Sequence, residues 1–321
     1  MAKLDLRVRV LGRLLRRASI VGQSTEQILR NQKARVSHNP VTDLLLGAVA
    51  PGVVLTDGHA AGETGPVRIR VYRPAVPGGQ PLPLIVNFHG GGWVVGSLET
   101  ADWLCSNVAA AVHAVVVSVD YRLAPGHRWP AAAEDCYAAL VDAAARAAEW
   151  GADPARLAVI GDSAGGNLAA VTTLMARDRS GPAIAFQGLI YPATDLTGSS
   201  PSLTENADAP ILTHADTIAY RDHYLGDADA REPYASPLFA PDHTGLPRAL
   251  VQVAEHDPIR DDGLRYAAAL QAAGVAVRTT TYVGMPHGFL AFPRLCRSAP
   301  QALAELAAEL RSALAPATLP G

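Results

Sequence analysis

The sequence predicts an α/β fold: a mostly parallel eight-stranded sheet with helices on both faces and a helical cap. Three observations predict it. From residue 51 onward, short runs rich in Val, Ile and Leu alternate with alanine-rich helical stretches. Several of those runs are continuously apolar rather than alternating, as in strands covered on both faces. The strand–helix alternation itself calls for right-handed crossovers between parallel strands.

The first forty residues read as helix, with Leu4, Val8, Leu11 and Leu15 at helical spacing. Lys3, Arg7, Arg9, Arg13, Arg16 and Arg17 make this stretch basic. A membrane-surface helix would carry such a face. A lid packed on a larger body, with its arginines wet, accounts for it better, because the rest of the chain follows a soluble-enzyme pattern. The strand candidates are Val53–Thr56, Val67–Tyr72, Leu84–Phe88, Val115–Val119, Leu157–Ile160, Ile184–Ile190, Ala249–Ala254 and Val275–Tyr282. The first two are joined by too short a loop for a helix and should pair antiparallel. Helices are expected over Glu99–Val112, Ala131–Glu149, Asn167–Arg177, Gly263–Ala273 and Pro300–Leu314. The stretch 191–248 breaks the alternation, with one helical patch near Ala215–Leu225. A structureless loop of that size is unusual in a compact domain, so it reads as a cap insertion. Residues 1–50 form the other cap segment, and 51–190 with 249–321 form the core.

Composition narrows the function. The 321 residues carry a formal charge of −3, which offers nucleic acid no electrostatic footprint. Cys105, Cys136 and Cys296 form no CxxC pair and no metal-ligand spacing, and read as reduced, mostly buried thiols. No apolar run is long enough to span a bilayer, and no secretory signal follows the charged start. The expectation is a cytoplasmic protein with no stable membrane insertion, no metal and no cofactor.

The chemistry is carried by four segments. Gly161-Asp162-Ser163-Ala164-Gly165 is a G-x-S-x-G turn between an apolar strand and a helix, the context that exposes a nucleophilic serine. His89-Gly90-Gly91-Gly92-Trp93 follows another strand, and its glycines bring backbone N–H groups close to a developing oxyanion. The N–H of Ala164 adds a further donor. Of ten histidines, His287 alone lies in a loop directly after the last strand candidate, so it is the expected general base. His89 is expected to brace its own loop instead. Asp257 follows the strand at Ala249–Ala254 and satisfies the chain order Ser, acid, His. Glu255, Asp261 and Asp262 are its neighbours and rivals, of which Asp261 and Asp262 are better placed at the start of the next helix, where acids are favoured. Each segment sits at the carboxyl end of a strand, where open parallel sheets build their sites.

These segments closely resemble the hormone-sensitive-lipase-like branch of the α/β-hydrolases, the bacterial family IV esterases. The likeness runs from about residue 67 to 293 and includes Val119-Asp120-Tyr121-Arg122-Leu123-Ala124-Pro125, Tyr234-Ala235-Ser236-Pro237-Leu238 and Asp257-Pro258-Ile259-Arg260-Asp261. It implies that Gly91, Gly92 and Ala164 donate to the oxyanion, that Asp162 supports the turn, and that Asp120, Tyr121 and Arg122 are structural. It also implies hydrolysis of short- to medium-chain acyl esters. Two residues depart from it: Gly126 and Asp262 stand where the family usually has Glu. Trp93, Leu212 and Phe289 are candidate pocket residues. An amidase or deacetylase using the same triad, or a non-catalytic small-molecule receptor on the same fold, are the alternatives. The last strand, with Thr279, Thr280 and Thr281, is the expected edge for a homodimer.

Overall fold

The computed structural model describes residues 4, 6–16, 19–34, 39–75 and 79–316. Its strands are β1 (Val53–Ala60), β2 (Val67–Pro74), β3 (Leu82–Phe88), β4 (Val115–Val119), β5 (Ala152–Asp162), β6 (Phe186–Ile190), β7 (Arg248–His256) and β8 (Val277–Pro286). They form one eight-stranded sheet in the order β1-β2-β4-β3-β5-β6-β7-β8. All eight sequence candidates are present, most of them longer than their apolar runs. Pairing from β4 through β8 is parallel, while β2 runs antiparallel to both β1 and β4. The second antiparallel pair goes beyond the expected meander. No crossover helix joins β2 to β3, so β2 is left running against the parallel strands.

The helices are α1 (Leu6–Leu15), α2 (Thr25–Asn31), α3 (Pro40–Leu46), α4 (Leu98–Val112), α5 (Ala131–Ala145), α6 (Ala164–Asp178), α7 (Ser202–Glu205), α8 (His214–Leu225), α9 (Arg260–Ala272) and α10 (Ala299–Ala313). The two-residue period of the strands sends alternate side chains to opposite faces. Leu84, Val86, Val117 and Val159 pack with Leu140, Leu168 and Leu270 of α5, α6 and α9. Ile85, Val116, Ile160 and Leu250 pack with Leu104, Val108 and Leu306 of α4 and α10. Two apolar layers thus clamp the parallel strands and hold their carboxyl ends rigid.

The N-terminal stretch is three short helices, not one. Ser24 opens α2 with a capping box, and Asn39 with Pro40 opens α3; such residues favour helix starts and so divide the stretch. Val8 and Leu11 are buried while Arg7 and Arg9 face solvent, the arrangement of a packed helix with a wet basic face. Lys3 and Arg17 lie outside the described residues, as do the side chains of Arg13 and Leu15. The 191–248 stretch contains α7, α8 and a 3-10 turn at Pro237–Phe239. Among the described residues no helix is long and apolar enough to cross a membrane.

Candidate active site

Ser163 sits between β5 and α6 with φ 57° and ψ −119°. A non-glycine residue seldom adopts such a backbone unless its surroundings hold it. Here they do: Ser163 N–H donates to the Ile190 carbonyl at 2.8 Å. On the far side of the turn, the Asn167 side chain donates to the Ala193 and Ala235 carbonyls at 2.7 and 2.8 Å. The hydroxyl is thereby lifted off the sheet end toward the space above it.

His287 follows the last residue of β8, and Asp257 follows the last residue of β7. His287 Nε2 lies 2.9 Å from Ser163 Oγ, and His287 Nδ1 lies 2.8 Å from Asp257 Oδ2. A carboxylate only accepts, so Nδ1 carries the proton and Nε2 is left to accept from the serine hydroxyl. The other carboxylate oxygen of Asp257 accepts the Ile259 N–H at 2.9 Å. Asp257 is fully buried, which fixes its geometry and shields it from water. Tyr191 packs its ring 4.8 Å from that of His287, limiting imidazole rotation. The rival acids are engaged elsewhere. Glu255 accepts from the Gly284 amide, Asp261 from Ser202 and Arg260, and Asp262 from Ser200 and the Asp195 amide.

The glycine loop after β3 turns beside the serine. Gly91 and Gly92 have φ of +119° and +59°. A side chain at Gly92 would run into the Tyr220 ring, so the loop is tightly enclosed. Among the described residues, the N–H groups of Gly91, Gly92 and Ala164 meet no protein acceptor. Three unspent donors beside a positioned hydroxyl are what an oxyanion hole requires. The loop is fastened from below: Gly90 N–H donates to Asp162 Oδ1 at 2.8 Å, one residue before the serine. Burial pushes the Asp162 carboxyl up from its ordinary value, against the opposing pull of His89 and the Gly90 amide. His89 is buried and stacked on Tyr121 at 4.3 Å, with Nδ1 at 2.8 Å from the Gly90 carbonyl. Tyr121 donates its hydroxyl to the His89 carbonyl at 2.7 Å. Burial pushes the His89 pKa down and so disfavours a charged ring, and the stack and hydrogen bonds brace the loop.

A cavity of about 520 Å³ opens over the serine. Its wall includes Arg16 and Ser19 of the N-terminal segment and Leu46 of α3. Trp103 and Leu104 of α4 and Ile211 and Tyr220 of the 191–248 stretch complete much of the rest.

Comparison with known proteins agrees with this architecture. A family model described as alpha/beta hydrolase fold matches residues 85–291. Esterase LipI of Mycobacterium tuberculosis is 44% identical over 263 residues, covering 81% of this chain and 82% of that one. Carboxylesterase NlhH of the same organism is 46% identical over 252 residues, covering 77% and 79%.

The chain belongs to the α/β-hydrolase family.

Solved structures similar to it include esterases. A Pyrobaculum calidifontis esterase superposes with a TM-score of 0.85 at 40% identity, covering 97% of this chain and all of that one, 100%. The hormone-sensitive-lipase-like resemblance is therefore shown. The receptor alternative is set aside by the same relatives.

This α/β-hydrolase brings together Ser163, His287, Asp257, Gly91, Gly92 and Ala164. It divides the three pocket candidates. Leu212 and Trp93 line the cavity, although most of the Trp93 ring is spent stacking on Tyr224 at 4.4 Å. Phe289 does not line it. Its ring is fully buried, edge-on to Tyr191 at 5.6 Å and near Tyr282 at 5.1 Å. Gly288 has a left-handed backbone, and the 3-10 turn Phe289–Ala291 that follows rolls Phe289 into the core. Leu290 and Phe292 line the cavity instead. Sequence reasoning missed these, as well as Leu46, Trp103 and Tyr220. Helical periodicity marks Leu104 as inward-facing, but nothing local says which end of α4 meets the site. Among the described residues no cluster of His, Cys, Asp and Glu is arranged to hold a metal ion.

Proposed function

We propose that this protein is a carboxylesterase of short- to medium-chain acyl esters, working through Ser163, His287 and Asp257. The observation that carries it is the continuous hydrogen-bonded line from Asp257 through His287 to Ser163 Oγ, ending beside three unspent amides. In this reading Ser163 Oγ attacks the ester carbonyl carbon as its proton passes to His287 Nε2. The carbonyl oxygen takes the negative charge and accepts from Gly91, Gly92 and Ala164. The C–O bond to the alcohol then breaks, and His287 returns the proton to the leaving oxygen. Water, deprotonated by the same nitrogen, attacks the acyl-enzyme and frees the acid and Ser163. Asp257 stabilises the transient imidazolium without itself taking a proton.

The limited volume of the cavity, about 520 Å³, supports a limit on acyl length. A panel of p-nitrophenyl esters from acetate to palmitate is expected to peak at butyrate to octanoate. An organophosphate probe is expected to label one residue, Ser163, by peptide mass mapping. A folded protein that neither turns over these esters nor takes the label, or takes it on another serine, would overturn the reading.

The same proposal includes a homodimer. β8 is the edge of the sheet, and Thr279, Thr281 and Val283 lie exposed along it. Unpaired edge strands invite pairing with a second copy. Sedimentation at micromolar concentration should give a dimer, and a Thr281→Pro change in β8 should return it to monomer. A reducing, cytoplasmic setting is part of this reading. It is supported by Cys105, Cys136 and Cys296, which are all buried and joined by no disulfide.

A further inference from the structure

The N-terminal segment does more than wall the cavity. At the end of α2, Gln32 reaches out of that segment to the oxyanion loop. Its side-chain amide donates to the Val94 carbonyl and to the Ala124 carbonyl, both at 2.7 Å. Both of its N–H groups are thus spent on backbone that borders the catalytic turn.

Val94 and Val95 both donate back to the Gly91 carbonyl, at 3.1 and 2.9 Å, closing residues 91–95 into one tight unit. Gly92 and Trp93 stand consecutively in the left-handed region, each with φ 59°. A tryptophan tolerates this only where its neighbours hold it. Trp93 is held by its stack on Tyr224, and its carbonyl accepts from Ala124 N–H at 2.9 Å. Gln32 links the same two strands of chain, 91–95 and 124, from above.

The seating of α2 makes the reach possible. Ile28 is 1% exposed and anchors the helix in the core beneath. Leu29 lies against Gly126, where an added Cβ would stand 3.3 Å from Leu29 Cδ2. Glycine at 126, one of the two departures from the family pattern, lets α2 settle directly on the 124–126 loop.

We propose that Gln32 is a positioning residue for the oxyanion hole, so that the N-terminal segment governs turnover and not only access. With Gln32 engaged, the 91–95 turn is pinned and the Gly91 and Gly92 amides aim at the developing charge. With it disengaged, the turn is free to relax and those donors lose alignment. The inference rests on the esterase reading above.

The test compares Gln32→Leu, Gln32→Lys and Gln32→Glu in the full chain, with active sites counted by organophosphate titration. Leu keeps the bulk and loses both donors, Lys restores donors to the two carbonyls, and Glu turns acceptors toward them. Removing an oxyanion donor outright costs about 100- to 1000-fold, so misalignment should cost about tenfold. The expected result is a tenfold fall in kcat per titrated site for Gln32→Leu, with KM for p-nitrophenyl butyrate within about twofold. An alkyl boronic acid, which makes a tetrahedral adduct on the serine, should bind more weakly by the same factor. Gln32→Lys should recover most of both, and Gln32→Glu should be the worst. Unchanged kcat per titrated site in Gln32→Leu, even with a lowered Tm, would overturn the inference. So would equal losses in the Leu and Lys variants, or a change confined to KM. Wild-type protein that takes no label would overturn both this inference and the esterase reading; labelled, active wild type with an indifferent Gln32→Leu would overturn this inference alone.

Discussion

Ser163→Ala is expected to lower kcat/KM for a short-chain p-nitrophenyl ester on the order of 10⁴-fold or more, with little change in KM. The cavity wall and the three amides survive the substitution, so the ester still binds and its carbonyl is still polarised. What disappears is the only hydroxyl within hydrogen-bond reach of His287 Nε2 among the described residues. His287→Gln should fall nearly as far, because an amide oxygen can accept a hydrogen bond from the hydroxyl but is too weak a base to take its proton. Asp257→Asn is expected to cost about 10⁴-fold by a different route. An amide facing Nδ1 presents a donor as readily as an acceptor, so the ring can take the other tautomer and turn an N–H toward the serine. Because the three residues act as one unit, the double variant Ser163→Ala with His287→Gln should be no worse than Ser163→Ala alone. Steady-state kinetics on the three single variants and the double settle the matter. A Ser163→Ala protein with near wild-type kcat, or additive losses in the double, would reject the assignment.

Gly165→Ala is expected to destabilise the fold by about 3 kcal/mol or more, or to prevent soluble expression. Gly165 opens α6 directly against the end of β3. A Cβ added there would overlap the Phe88 carbonyl oxygen and stand 2.6 Å from the His89 carbonyl oxygen. Both are backbone atoms, one on the last residue of β3 and one on the residue after it, so neither can swing aside as a side chain would. The helix would have to back away, carrying Ser163 and the Ala164 amide with it. The loss should therefore appear both as a Tm lower by about 6 °C or more and as reduced activity in whatever protein folds. Gly58→Ala is the matched control. Its site is on the exposed strand β1, and an added Cβ there meets only Ile69 at 3.9 Å. Thermal denaturation of the two variants should separate them clearly. Equal stability would show that α6 does not approach β3 this closely.

Those two glycines illustrate how far a sequence reaches. The strand positions were legible because burial on both faces writes itself as continuous apolar runs, as at Leu157–Ile160. Their ends were not. β5 begins at Ala152 and β8 continues to Pro286, because ladder pairing, not apolarity, sets a strand's length. The helix after the serine was expected from about Asn167. The structure begins it at Ala164, where packing against β3 overrides propensity and makes small residues obligatory. Asp262 shows the opposite success. Placed at a helix start by its sequence context, it is found in the first turn of α9.

Residue order alone was enough for the mostly parallel sheet, the ester-hydrolase class and the candidates for its reacting residues. The candidate nucleophile, base, acid and glycine loop are each marked by local rules: a strained turn, a loop after a strand, a run of residues without side chains. The tertiary structure alone decided what surrounds them. Whether Phe289 meets substrate or core, whether Trp103 and Leu46 share a cavity, and whether Gln32 touches the oxyanion loop all depend on contacts between segments distant along the chain. Local propensity and periodicity act over a few residues. Groups that meet across 62 positions, as the Gln32 side chain and the Val94 carbonyl do, are joined by packing that no short window of sequence contains.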